Sequence, residues 1–184
     1  MRVITGLAKG RKLDTLEGTD VVRPTSDKVK EGMFSVIQFE IEGADILDLF
    51  AGSGQLGIEA LSRGARSAVF VDADKNACEM VRSNLDRAGL SKNALVKISD
   101  AKTYLGFSRD KFDIIFMDPP YNKGILNELL PLASKRAESF GWIVCESEIN
   151  EVLPDEAGDF HIAKVYKYGK TKVTVYRSKG GTVL

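Results

Sequence analysis

The chain has 184 residues, 43 % of them apolar and 28 % charged, and its 26 basic and 26 acidic side chains cancel. These values predict one soluble domain and argue against a disordered chain, a collagen-like chain or a disulfide scaffold. No run approaches the roughly 18 apolar residues of a membrane helix, and the N-terminus MRVITGLAKGRKL lacks the apolar core of a signal peptide, so a cytoplasmic protein with no membrane partner is expected.

Residues 3–7 and 12–15 read as two extended runs around a Lys9-Gly10 turn, a small β-hairpin. Arg23-Pro24-Thr25-Ser26-Asp27 is a loop ahead of a helix. Ser26 or Asp27 caps that helix, which carries Val29, Met33, Phe34 and Ile37 at helical spacing. Residues 46–50 form a buried-strand run, followed by a glycine loop and a helix through Ile58 and Leu61. The next apolar run, 67–71, ends in Asp72 and precedes a helix with Ala77, Met80, Val81 and Leu85. Strands follow at 95–98, near Asp100, and at 112–117, before Asp118. A helix is expected over 126–136 with a kink or restart at Pro131, then a strand at 142–145. The tail, 162–177, alternates like an antiparallel pair around a Gly169-Lys170 turn. Strand–helix alternation from 44 to 145 predicts a parallel sheet covered by helices, and the tail adds an antiparallel edge.

Charge is unevenly spread. Residues 1–13 carry Arg2, Lys9, Arg11 and Lys12 with no acid, and residues 163–184 carry six basic side chains with no acid. Residues 38–162 hold 13 basic and 21 acidic side chains, so two basic ends flank an acidic body. Cys78 and Cys145 read as buried, reduced thiols. One histidine, His161, and no CxxC pair leave no zinc pattern, and no metal is expected.

Two motifs carry chemistry. The first is Asp48-Leu-Phe-Ala51-Gly52-Ser-Gly54-Gln-Leu-Gly57. Glycines between a strand and a helix let a ligand approach the backbone, and the helix start offers free N–H groups. Gly52-x-Gly54-x-x-Gly57 matches the dinucleotide fingerprint, and Asp72 falls where a ribose-binding acid is expected. The motif says nucleoside cofactor, not which one. The second is Asp118-Pro119-Pro120-Tyr121 at a strand end. Two prolines fix the chain, leaving carbonyls and a carboxylate as acceptors for an exocyclic NH2 group, while Tyr121 offers a face on which a base can stack.

With Arg23-Pro-Thr-Ser-Asp-Lys-Val-Lys-Glu31, the 56–65 block LGIEALSRGA and Lys167-Tyr-Gly169, these motifs make the chain similar to the RsmD family, nearly end to end. That family comprises bacterial 16S rRNA guanine-N2 methyltransferases. The resemblance implies a class I S-adenosylmethionine-dependent methyltransferase fold, Rossmann-like, with a mostly parallel seven-stranded sheet and an antiparallel edge hairpin. Residues 1–40 would be an N-terminal hairpin and helix extension, and 41–184 the methyltransferase domain. The cofactor implied is S-adenosyl-L-methionine. Asp48, Gly52 and Gly54, with Ala51 between, would line its methionine end, Asp72 would bind the ribose, and Asp100 would accept from the adenine amine beside Ala101. Asp118, Pro119, Pro120 and Tyr121 would hold the target base. Arg2, Lys9, Arg11 and Lys12, with Lys167, Lys170 and Lys172, would track phosphates of 16S rRNA, free or in a small-subunit particle, bound by a monomer. Asn84 and His161 read as structural. Gln55 stands where the family has a small residue, and Asp72 where glutamate is common. The alternatives are a DNA or RNA adenine-N6 or cytosine-N4 amino-methyltransferase, an NAD-dependent oxidoreductase, and a nonenzymatic nucleic-acid binder.

Overall fold

The computed structural model describes residues 1–15, 27–121 and 124–180. Residues 23–26 of the expected loop, Ser26 as a cap among them, lie outside these. The described elements are α1 (Asp27–Val36), β1 (Asp45–Leu49), α2 (Gln55–Ser62), β2 (Ser67–Asp72), α3 (Lys75–Ala88), β3 (Ala94–Ile98), α4 (Ala101–Phe107), β4 (Phe112–Met117), α5 (Ile125–Ala133), β5 (Ala137–Glu148), β6 (Glu156–Ala157), β7 (Phe160–Tyr168) and β8 (Thr171–Ser178).

All eight strands join one sheet in the order β3-β2-β1-β4-β5-β8-β7-β6. Strands β1 to β5 pair in parallel, and β8 runs antiparallel between β5 and β7. The sheet is thus the expected mostly parallel one with a hairpin edge, and the two-residue β6 adds an eighth strand to the seven expected. Side chains of the central strands alternate between two apolar layers, which is why these strands read as continuous apolar runs. Ile46, Ile114, Phe116, Val144 and Val175 face α1, α2 and α3. Leu47, Leu49, Ile115, Met117, Ile143 and Tyr176 face α4 and α5. Strand order reverses direction between β1 and β4, and open α/β sheets bind ligands in the crevice at the carboxyl ends of such strands.

The N-terminal segment turns back on itself much as expected: an antiparallel bridge, Arg2 to Lys12, forms, and the Val3, Gly10 and Leu13 amides donate to the carbonyls of Arg11, Val3 and Met1, each at 2.9 Å, although neither run is long enough to be a strand. The segment also spends backbone groups on the body. The Ile4 and Thr5 amides donate to Glu59 at 2.7 and 3.0 Å, and the Leu7 and Ala8 amides donate to the carbonyl and hydroxyl of Ser62. Val3, Ala8 and Leu13 are buried against α2 and α3. Helix α4 is absent from the sequence reading. Its N-cap is Asp100, whose carboxylate accepts from the Thr103 amide at 3.0 Å. Pro131 lies inside α5 near its end, and that helix stops at Ala133 rather than at 136.

Candidate active site

The crevice is built by strand ends in register. Asp48 is the fourth residue of β1, Asp72 ends β2, and Asp100 follows β3 by two residues. Asp118 follows Met117, which pairs with Leu49 on one side and Cys145 on the other. The residue after Cys145 is Glu146. Five carboxylates, one from each parallel strand or within two residues of its end, therefore line one edge of the sheet.

Between β1 and α2 the chain turns through three left-handed residues: Phe50 at φ 64°, Gly52 at 54° and Gly54 at 78°. Glycine takes such angles freely, but an aromatic residue there is strained. A Cβ at Gly54 would also press on Val81 and Ile58 at 3.1–3.2 Å, so the loop can be this tight only with glycine. At Gly57 the reason is packing, because a Cβ would lie 2.3 Å from the Phe70 ring and push α2 off the sheet.

Carboxylates hold this loop. Asp72 Oδ2 accepts from the Gly52 amide at 2.9 Å and Oδ1 from the Asp74 amide at 2.9 Å, so the acid expected on a ribose also shapes the turn. A carboxylate has about four acceptor sites, which leaves capacity for a ligand diol. Asp48 is buried on the α2 side and accepts from the Gly57 amide at 2.8 Å. Burial raises its pKa to about 7, against the Gly57 bond, and the Asp72 charge adds to the rise. Ala51 is buried, its amide on the Val71 carbonyl at 3.1 Å. Gln55, the first residue of α2, is buried, and its Oε1 has no hydrogen-bond partner among the described residues, an unspent acceptor at the glycine loop. Asp100 is exposed and Ala101 buried at the far side of the crevice.

On the other side, Pro119 is buried, and Asp118, Pro120 and Tyr121 are half-buried. Tyr121 does more than present a ring. Its hydroxyl donates to Glu146 Oε1 at 2.6 Å and lies 3.1 Å from the Thr171 hydroxyl. Sequence reasoning missed Glu146, which is buried within β5. Asn84, read as structural, bridges two segments: its amide group donates to the carbonyls of Ser53 at 2.9 Å and Asp14 at 3.1 Å, and its oxygen accepts from the Asp14 amide. Cys78 and Cys145 are free, buried thiols whose pKa burial pushes up, which disfavours the reactive thiolate.

The basic residues divide. The Gly169-Lys170 turn follows β7 beside Thr171, which pairs with Glu148 at the crevice end of β5 and meets the Tyr121 hydroxyl, so exposed Lys170 adjoins that contact, while exposed Lys167 pairs with Lys172. Lys172 Nζ donates to the Glu151 carbonyl. Lys9 belongs to a turn packed on Ser62, at the opposite end of α2 from the glycine loop, and Arg11 and Lys12 are exposed on the returning run. Arg2 lies 3.8 Å from Asp27, and both are exposed. A shallow cavity of about 560 Å³ lies at the other edge of the sheet, among Asp45, Arg66, Ser67, Lys92 and Phe112. These residues start or precede strands, so that cavity is remote from the carboxylate row.

Sheet order, hairpin edge and glycine loop together define a protein of the class I methyltransferase fold. The sequence is similar to Bacillus subtilis YlbH, at 44 % identity over 98 % of this chain and 100 % of that protein. It is 34 % identical to ribosomal RNA small subunit methyltransferase D of Escherichia coli K12, over 96 % of this chain and 89 % of that one. The solved structure of Escherichia coli yhhF superposes with a TM-score of 0.84 at 32 % identity, covering 97 % of each chain. Residues 1–177 match the family described as conserved hypothetical protein 95, and the chain belongs to it, the RsmD family that the sequence motifs resemble.

Proposed function

We propose that this protein transfers a methyl group from S-adenosylmethionine to the exocyclic N2 amine of a guanine in the RNA of the small ribosomal subunit. The observation that carries the reading is Asp118-Pro-Pro-Tyr121 standing beside the glycine loop at the reversal point of the sheet. The names of the relatives at 30 % identity or more support an rRNA substrate.

The residues present fit the cofactor. Its ammonium, ribose diol and adenine amine all donate hydrogen bonds, and acceptors line the crevice at Asp48, Gln55, Asp72 and Asp100. When bound, S-adenosylmethionine supplies a sulfonium-activated methyl group. The chain's own task is then mainly positioning, which can account for many kcal/mol of barrier lowering. Asp118 and the proline carbonyls accept hydrogens from the target amine and localise its lone pair. Tyr121 stacks on the base, which must leave its helix to enter the crevice. The alkylated amine is strongly acidic, and its proton leaves to Asp118 or water.

The test is methyl transfer from labelled S-adenosylmethionine to small-subunit RNA, free and in assembled particles. Asp118→Ala is expected to lose about 10²–10³ in rate while cofactor binding by calorimetry stays within a fewfold of wild type. A variant with near-normal turnover would remove Asp118 from this role.

A further inference from the structure

The structure assigns Glu146 as a positioning residue that fixes the base-stacking tyrosine of the Asp-Pro-Pro-Tyr loop. This inference rests on the function proposed above. Three observations carry it. First, Tyr121 is reached by two strands at once: its hydroxyl donates to Glu146 Oε1 at 2.6 Å on β5 and meets the Thr171 hydroxyl at 3.1 Å on β8. Second, Glu146 is only 3 % exposed, and β5 and β8 pair in register from Trp142–Arg177 to Glu148–Thr171. The anchor is thus a side chain held in a sheet rather than in a loop. Third, at 2.6 Å the contact lies at the short end of the O–H···O range, so hydroxyl and acceptor are closely held. Burial, then the Glu146 carboxylate, push the Tyr121 hydroxyl above its ordinary pKa, so it stays a donor.

Tyr121 closes the motif whose first residue, Asp118, meets the amine. Two prolines between them stiffen the chain. Pinning Tyr121 therefore sets one end of a rigid acceptor loop whose other end leaves β4 at Met117. Without the pin, the ring can rotate about its side-chain torsions and the loop loses its outer anchor. Misplacement on the scale of 1 Å at a reacting centre costs up to about a hundredfold in rate. Glu146 touches neither the base nor the cofactor in this account. It acts through the Tyr121 hydroxyl, and Thr171 supports it.

A double-mutant cycle tests the assignment with wild type, Glu146→Ala, Tyr121→Phe and the double variant. The readouts are kcat and KM on small-subunit RNA at saturating S-adenosylmethionine, cofactor affinity by calorimetry and melting temperature. The expected result is a loss of about tenfold in kcat for each single variant, with cofactor affinity within twofold of wild type. The double variant should be no worse than the poorer single one, because both remove the same bond. Glu146→Gln, which keeps an acceptor and the shape, should restore most of the rate, and it serves as the second measurement where Glu146→Ala does not fold. Multiplying losses overturn the assignment, since Glu146 would then act independently of Tyr121. Wild-type turnover in Glu146→Ala overturns it too, as does Glu146→Gln being as poor as Glu146→Ala. Wild-type protein with no transfer to small-subunit RNA overturns the proposed function, and this inference with it. Wild-type transfer with an unaffected Glu146→Ala overturns the inference alone.

Discussion

Asp48 is buried between β1 and α2 with the Gly57 amide as its donor. Its pKa is raised from 3.8 to about 7 by burial, with the Asp72 charge adding to the rise. The folded state therefore binds this proton more tightly than the unfolded chain does. The resulting stabilisation is fully present below about pH 4 and is lost as pH rises through about 7. The slope from this group reaches at most about 1.4 kcal/mol per pH unit. Asp48→Asn removes the group, so its stability should gain on wild type between pH 4 and 7, and the gain should level off above. Denaturant unfolding at four pH values measures this. Parallel profiles for the two proteins would show that Asp48 is ordinary.

Helix α2 joins the cofactor loop to the N-terminal segment, and Glu59 is its joint. Glu59 is fully buried and accepts from the Ile4 and Thr5 amides, from Arg63 at 2.8 Å, and lies 3.6 Å from the buried Lys30 of α1. Burial lowers the Lys30 pKa, against the pull of Glu59. Glu59→Leu would leave two amides without their acceptor and the buried Lys30 ammonium without its counter-ion, with the Arg2 carbonyl at 2.7 Å as its remaining acceptor. Breaking a buried pair this way costs about 3–5 kcal/mol. Denaturant unfolding should show that loss, and trypsin should cut faster after Lys9, Arg11 and Lys12. A cost below about 1 kcal/mol would mean the segment is held by Val3, Ala8 and Leu13 and by its bonds to Ser62 and Asn84 instead.

Elements of this kind differ in how far the sequence reveals them. The central strands are legible because both faces are buried, giving unbroken apolar runs that end in an acid or a glycine loop. The glycine loop and Asp-Pro-Pro-Tyr are legible because proline and glycine have few other reasons to stand there. Helix α4 is not, since its seven residues span fewer than two full periods. Glu146 is hidden because the apolar run of β5 stops at Cys145, so the next carboxylate reads as a loop residue. Only pairing with β8 shows that the strand continues to Glu148. The N-terminal hairpin is legible only in part: its runs bond to each other through the Val3, Gly10 and Leu13 amides, but Ile4, Thr5 and Ala8 hold their amides on α2, 54–55 residues away in sequence, which no local pattern shows.

At the scale of the molecule, the sheet has one chemical edge and one plain edge, and net neutrality conceals basic ends around an acidic body. Exposed Lys170 adjoins Thr171, which meets the Tyr121 hydroxyl, while exposed Lys9, Arg11 and Lys12 lie on the N-terminal turn and its returning run, packed at the Ser62 end of α2. On the proposed function, RNA would lie across both sites with phosphates as its main contacts, each releasing counterions. Replacing Lys9, Arg11 and Lys12 together by glutamine should weaken RNA binding and flatten its salt dependence by up to about three contacts. Replacing Lys167 and Lys170 should flatten it by about two. Filter binding across a salt series reads both, and calorimetry should find cofactor affinity unchanged. An unaltered slope in either variant would make those residues a solvated surface.

On the proposed function, this crevice methylates a guanine amine of small-subunit rRNA. Mass spectrometry of nuclease-digested small-subunit rRNA, from cells with and without the gene, tests it most directly. The prediction is that one N2-methylguanosine disappears in the deletion, returns with the wild-type gene and does not return with Asp118→Ala. An unchanged modification map, or the loss of a methyl group from an adenine or cytosine amine instead, would contradict it.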